Sequence, residues 1–203
     1  MMMKKFLAIL GVLSMISACT TADEQPAPQK FTEARFDTQQ NIDLKVSKVE
    51  VVSDFVPSFT RPNVEHLFPV SIEKTALNWG RDRLRAVDFS STKQATFTVK
   101  DASVTEEIVK ADRLFEKDSV KYRAKLSVVL KISDTSKFSS AETSLDAWRE
   151  LTIPVDTPID QKEVYWKNMV DKLFDEFNVR MQTNIHKYLN MYVDNSVLVT
   201  DYE

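Results

Sequence analysis

Between Lys121 and Ser133 every second residue is apolar. Tyr122, Ala124, Leu126, Val128, Leu130 and Ile132 alternate with residues that are almost all polar. A period of two marks a strand with one buried face. A turn at Asp134–Ser139 leads into a return strand, Ala141–Ile153, with Leu145, Ala147, Leu151 and Ile153 on its inner face and Pro154 and Pro158 closing it. The period then lengthens. From Ile159 to Val193 the residues Trp166, Met169, Val170, Leu173, Phe174, Phe177, Met181, Ile185, Tyr188, Leu189 and Tyr192 fall on one stripe at helical spacing. Thr157-Pro158 predicts the start of that helix, with Thr157 as cap and proline at the first helical position. Earlier in the chain, Ile42, Leu44 and Val46 alternate, and Val49 and Val51 resume one position out of phase, a strand with a bulge near Lys48. Ser53–Pro69 reads as a loop. Val70–Val87 carries a helical stripe through Ile72, Ala76, Trp79, Gly80, Leu84 and Val87, and Gln94–Val104 is a strand facing inward with Ala95, Phe97 and Val99. Thr105–Ser119 fits either a hairpin arm or a short helix, and Val197–Val199 a short closing strand. The order β-α-β-β-β-α, with strands apolar on one face, predicts an α+β two-layer sandwich. A mainly antiparallel sheet of four to five strands carries two helices on one face.

The first 18 residues follow another logic. Lys4 and Lys5 precede an apolar run, Phe6–Ile16, too short to span a bilayer. It ends in Ile16-Ser17-Ala18-Cys19: a branched apolar residue, two small ones, then cysteine. This resembles the lipobox of bacterial lipoproteins. The resemblance implies cleavage before Cys19 and a diacylglycerol on its sulfur, which makes the membrane a partner through an N-terminal lipid anchor. Two or more acyl chains hold a protein on a bilayer where one does not, each buried CH₂ contributing about 0.8 kcal/mol. Thr20 stands where enterobacterial lipoproteins retained at the inner membrane carry Asp, so the resemblance leans to the outer membrane. Residues 19–40, polar and holding Pro26 and Pro28, read as a tether with a reach of at most roughly 65–70 Å, and residues 41–203 as a single domain.

Composition then removes chemistry. Cys19 is the only cysteine, so no disulfide can form within the chain. The only glycine after the leader is Gly80, which excludes glycine-rich phosphate loops and the G-x-S-x-G elbow. Its place on the helix stripe predicts close helix–sheet packing. His66 and His186 have no zinc-site context. The formal net charge of −3 argues against nucleic acid as a partner. No cofactor and no metal are expected, and nothing suggests an enzyme.

Four surfaces remain. The loop Phe55-Val56-Pro57-Ser58-Phe59-Thr60-Arg61-Pro62, continuing to Phe68, is either folded back over the sheet edge or a stiffened contact site. On the open sheet face, the turn register sets Lys131 against Glu142, Arg123 against Glu150 and Ser127 against Asp146, neutralising one another. Trp148 falls on that face opposite Lys125, a partner contact or a cation–π pair, and leaves Arg149 on the inner face. The last helix, about 35 residues and roughly 50 Å long, outruns strands of 11–13 residues. Its end at Tyr188, Met191 and Tyr192 is therefore either covered by the C-terminal segment or offered to a protein partner. Arg81, Arg83 and Arg85 read as a solvated face of the first helix.

Trp79-Gly80-Arg81-Asp82-Arg83-Leu84, Asp101-Ala102-Ser103-Val104 and Met169-Val170-Asp171-Lys172-Leu173 resemble a family of alphaproteobacterial lipoproteins. More distantly, the lipobox, small α+β domain and closing helix are similar to the auxiliary lipoproteins of ABC-type envelope transport systems. That likeness implies a non-catalytic binding or scaffold module facing the periplasm, accessory to a lipid-transport or assembly complex. A regulator of a peptidoglycan enzyme is the alternative, and a hydrolase without a recognisable motif the weakest.

Overall fold

The computed structural model describes residues 30–112 and 117–195. The leader, Cys19 and the expected strand at Val197–Val199 lie outside the described residues.

The long alternating segments form the longest strands. β6 (Ser119–Asp134) and β7 (Ser139–Pro154) are 16 residues each and pair antiparallel without a slip from Ser119↔Pro154 to Asp134↔Ser139. The other edge of β6 is shared. β4 (Lys93–Asp101) covers its second half and β5 (Val104–Val109) its first. The register slips between Val99 and Asp101, so β4 and β5 are one long arm broken at a bulge. The ambiguous segment after Thr105 therefore begins as strand. β2 (Lys48–Ser53) lies parallel to β4 at the edge.

The first alternating segment is two strands in two sheets. β1 (Ile42–Leu44) pairs in parallel with β3 (Leu84–Ala86), and β2 starts after a break at Lys45–Ser47. The phase change at Lys48 marks that break, where the chain leaves one sheet for the other. The first helix, α1 (Ile72–Arg83), is correspondingly shorter than its stripe. Ser71 caps it, its Oγ accepting from Lys74 N at 3.2 Å, and Leu84 already runs in β3. The last helix, α2, spans Ile159–Tyr188, with Pro158 as its N-cap. The Thr157 hydroxyl donates to the Pro154 carbonyl at 2.7 Å and does not cap the helix.

Both helices lie on one face of the five-stranded sheet. Trp79 of α1 meets Phe97 of β4 at 5.4 Å and Phe177 of α2 at 5.2 Å. Phe97, Leu126, Val128 and Leu130 point into this layer and are buried, each contributing about 1.5–3 kcal/mol. Gly80 packs as its place on the stripe predicts. A Cβ there would stand 2.9 Å from Phe97 and 3.0 Å from Val51.

The domain starts earlier than composition suggests. Its compact unit begins at Phe31. Phe36 is buried and packs 6.0 Å from Phe174. Arg35 forks onto Asp82 at 2.8 and 2.7 Å, and Phe36 N donates to the same carboxylate. A few apolar and charged groups among polar neighbours dock residues 31–40, which averaged composition cannot reveal.

The outer edge of β7 is covered by α2. Arg180 donates to the Asp146 carbonyl at 3.3 Å and Asn184 to the Ser144 carbonyl at 3.2 Å.

Candidate functional site

The three loop phenylalanines converge. Phe55 is half-buried against the core, and Phe68 is buried and stacks on Trp166 at 4.8 Å. Phe59 stays 73% exposed, 5.4 Å from the His66 ring. With Pro57 and the first turn of α1 they line a groove of about 440 Å³. The two readings of this loop thus divide between its residues, since Phe68 belongs to the fold and Phe59 does not.

The loop is held at many points. Ser58 N donates to Glu65 Oε1 at 2.8 Å, Val64 N to the Val104 carbonyl at 2.8 Å, and Glu106 N to the Pro62 carbonyl at 2.9 Å. Residues 62–64 thereby run beside β5 like a further short strand, and Arg61 closes an ion pair to Glu106 at 2.6 Å. The tip is presented by a fixed frame.

On the open face the expected register is realised. Lys131 faces Glu142, Arg123 faces Glu150, and Lys125 faces Trp148. Glu150 takes both Lys121 (3.1 Å) and Arg123 (3.2 Å). Trp148 is 56% exposed, and Arg149 is half-buried on the inner face with no bulge between them. The cation over the indole is Arg123, at 4.6 Å, and not the expected Lys125. Diagonal neighbours across a strand pair are within reach of long side chains, and a planar guanidinium stacks on an indole where an ammonium cannot.

The end of α2 is largely closed over. Strands of 16 residues run roughly 53 Å against about 45 Å for a 30-residue helix, so the stripe does not outrun the sheet. Beyond the helix, Lys45 N donates to the Tyr192 carbonyl at 2.7 Å and Asp194 N to the Asp43 carbonyl at 2.8 Å, which buries Leu189 and Val193 and half-buries Tyr192. Tyr188 and Met191 remain exposed, with Lys187 Nζ 5.0 Å from the Tyr188 ring.

One arginine departs from the expected solvated face. Arg83 is 2% exposed, four residues after Trp79 on the buried stripe. Its guanidinium donates to Asn178 Oδ1 at 2.9 Å, Gln182 Oε1 at 2.6 Å and Gln39 Oε1. All three acceptors are neutral amides, and burial lowers the Arg83 pKa. Asn178 also accepts from Trp79 Nε1 at 2.8 Å, so one cluster ties α1, α2 and the N-terminal segment together. Arg85 lies in β3 and forks onto Asp43 at 2.7 and 2.6 Å. The spacing from Trp79 was the available signal for Arg83, but its amide partners lie 44 to 99 residues away.

Among the described residues no three His, Cys, Asp or Glu side chains gather as a metal site would need, and no helix is long and apolar enough to cross a membrane.

No protein-family model matches the chain, and no curated protein matches it in sequence. Among solved structures it is similar to a minor lipoprotein from Acinetobacter baumannii, at 13% identity over 68% of this chain and 94% of that one, with a TM-score of 0.37. A neuraminyllactose-binding hemagglutinin homolog from Helicobacter pylori matches at 11% identity over 69% and 85%, TM-score 0.35. The PelC dodecamer from Paraburkholderia phytofirmans matches at 12% over 64% and 86%, TM-score 0.23. A lipoprotein thus stands among the folds this chain resembles, at distances too great to bear on its function.

Proposed function

We propose that the chain is a lipid-anchored, non-catalytic module of the cell envelope. It faces the periplasm from the outer membrane and serves as an accessory of a lipid-transport or assembly complex. The observation that carries this reading is the run Phe6–Ile16 ending in Ile16-Ser17-Ala18-Cys19. A short apolar segment, two small residues and one cysteine supply what lipid attachment requires. The open sheet face supports a binding role. An exposed tryptophan under an arginine, on a face that folding leaves in water, offers a contact area that the core does not use. The domain begins at Phe31, so the twelve residue steps from Cys19 reach at most about 40 Å. That span favours a partner beside the membrane over a cell-wall enzyme beyond it.

The test is intact mass spectrometry of the mature protein with membrane fractionation. A diacylglyceryl adduct on Cys19, and loss of membrane association in Cys19→Ser, are the expected results; a free thiol would overturn the reading. Detergent extraction and co-purification from the parent and from Trp148→Glu then identify the partner by its dependence on Trp148.

A further inference from the structure

The two ends of the sheet differ. β2 runs parallel to β4, so Ser53 stands beside Val99 at one end. The aromatic loop leaves from there, and α1 starts there, its Ser71 and Ile72 sharing the groove with Ala102 and Val104. Glu33 lines the same groove and pairs with Lys74 at 3.9 Å. The chain therefore enters the domain at the loop end. At the opposite end the turns at Asp88–Thr92 and Asp134–Ser139 are tied by Thr92 Oγ1 donating to Asp134 Oδ1 at 2.8 Å.

Both ends expose apolar groups, Phe89 (81%) and Phe138 (98%) singly in the two far turns and a set of three at the loop end. Val56 is 83%, Phe59 73% and Leu67 48% exposed, on a backbone fixed by Glu65 and by β5. Apolar side chains grouped on a held backbone and rimmed by charges mark a contact site. The ion pairs around them are tilted. The Arg61 side chain is 76% exposed and its partner Glu106 14%; Lys74 is 72% and its partner Glu33 29%. Cations stand outward and carboxylates lie beneath, an order that suits lipid phosphates above an apolar wedge.

We propose that the tip carrying Val56, Phe59 and Leu67 rests in the interfacial layer of the bilayer that holds the Cys19 acyl chains. This rests on the lipid-anchor reading and adds an orientation to it. What assigns the tip to a lipid surface is where the chain outside the described structure joins the domain. Twelve residue steps separate Cys19 from Phe31, and Glu33, two residues on, lines the groove beside this loop.

The experiment uses the full mature protein in vesicles of phosphatidylethanolamine and phosphatidylglycerol carrying a nitroxide on the lipid acyl chain. Acylation leaves no free thiol at Cys19, so Phe59→Cys and, separately, Phe138→Cys take a single environment-sensitive fluorophore. Phe138 lies in the opposite turn and is 98% exposed. About twofold quenching at 59, with none at 138, is the expected result for an interfacial wedge. Vesicle-bound protein with an unquenched label at 59, or with equal quenching at both positions, overturns the proposal. So does a label at 59 that becomes shielded only when solubilised envelope proteins are added, since that assigns the tip to a protein partner. Intact mass reports acylation separately. If Cys19 is found unmodified, the same labels are read in Cys19→Ser, where quenching at 59 still supports the lipid contact and its absence overturns it. An unchanged urea midpoint for both labelled chains shows that neither substitution disturbed the fold.

Discussion

The two sides of the sheet treat an arginine in opposite ways. On the covered side Arg83 is shut against α2 and residues 31–40; three amide oxygens accept from its two terminal nitrogens, while Nε is buried without a partner. On the open side Arg123 keeps its water, shares Glu150 with Lys121, and lays its guanidinium over Trp148. The first cation is part of the fold, because its own side chain is buried and ties α1 to α2 and to residues 31–40. The second stays open to solvent, with its side chain 43% exposed. Burial and the chemistry of the acceptors, more than residue type, decide which arginine is structural and which is available.

The largest break in this comparison is Arg83→Ala. It removes a side chain that is 2% exposed and its three hydrogen bonds joining α1 to α2 and to Gln39, and a loss of about 3 kcal/mol is expected in urea unfolding. Gly80→Ala should follow, at about 1–3 kcal/mol, because the methyl meets Phe97 and Val51. A third test lies where the two sides meet. Hydrogen bonds from Ser136 and Thr92 hold the Asp134 carboxyl down to about 2, against their partial offset by desolvation. The folded value is below the unfolded one. The stabilisation is therefore complete above about pH 4 and disappears as pH falls toward 2. Asp134→Asn should flatten that acid limb of a stability-against-pH curve while the parent keeps it. The smallest effect belongs to the open side. Trp148→Ala should change stability by no more than about 0.5 kcal/mol, and a circular-dichroism melt that collapses would place Trp148 in the core after all.

Most of this architecture was legible because period and face coincide over long segments. β6 and β7 could be paired residue by residue from the turn at Asp134–Ser139, and the inner and outer faces follow from that register. The α2 stripe likewise named its buried residues from Trp166 to Ile185. Short elements were not legible. Three residues at Ile42–Leu44 and three at Leu84–Ala86 hold too few periods to separate a small second sheet from a bulged strand or a helix end. Docking of residues 31–40 depends on Asp82 and Phe174, distant in sequence, and the choice of Arg123 over Lys125 as the partner of Trp148 depends on diagonal reach across β6 and β7, which register does not decide. Of the candidate contacts, Phe55, Phe68 and Tyr192 face inward at least in part, while Phe59, Trp148, Tyr188 and Met191 face water. Local sequence marks an aromatic residue, but only the surrounding fold decides which way it turns.

Arg180 and Asn184 have a further consequence. A 16-residue outer strand with free carbonyls is a template on which another chain can build. By occupying the Ser144 and Asp146 oxygens from the adjacent helix, two side chains take acceptors that an incoming strand would need, so the edge offers a broken ladder where its register would start.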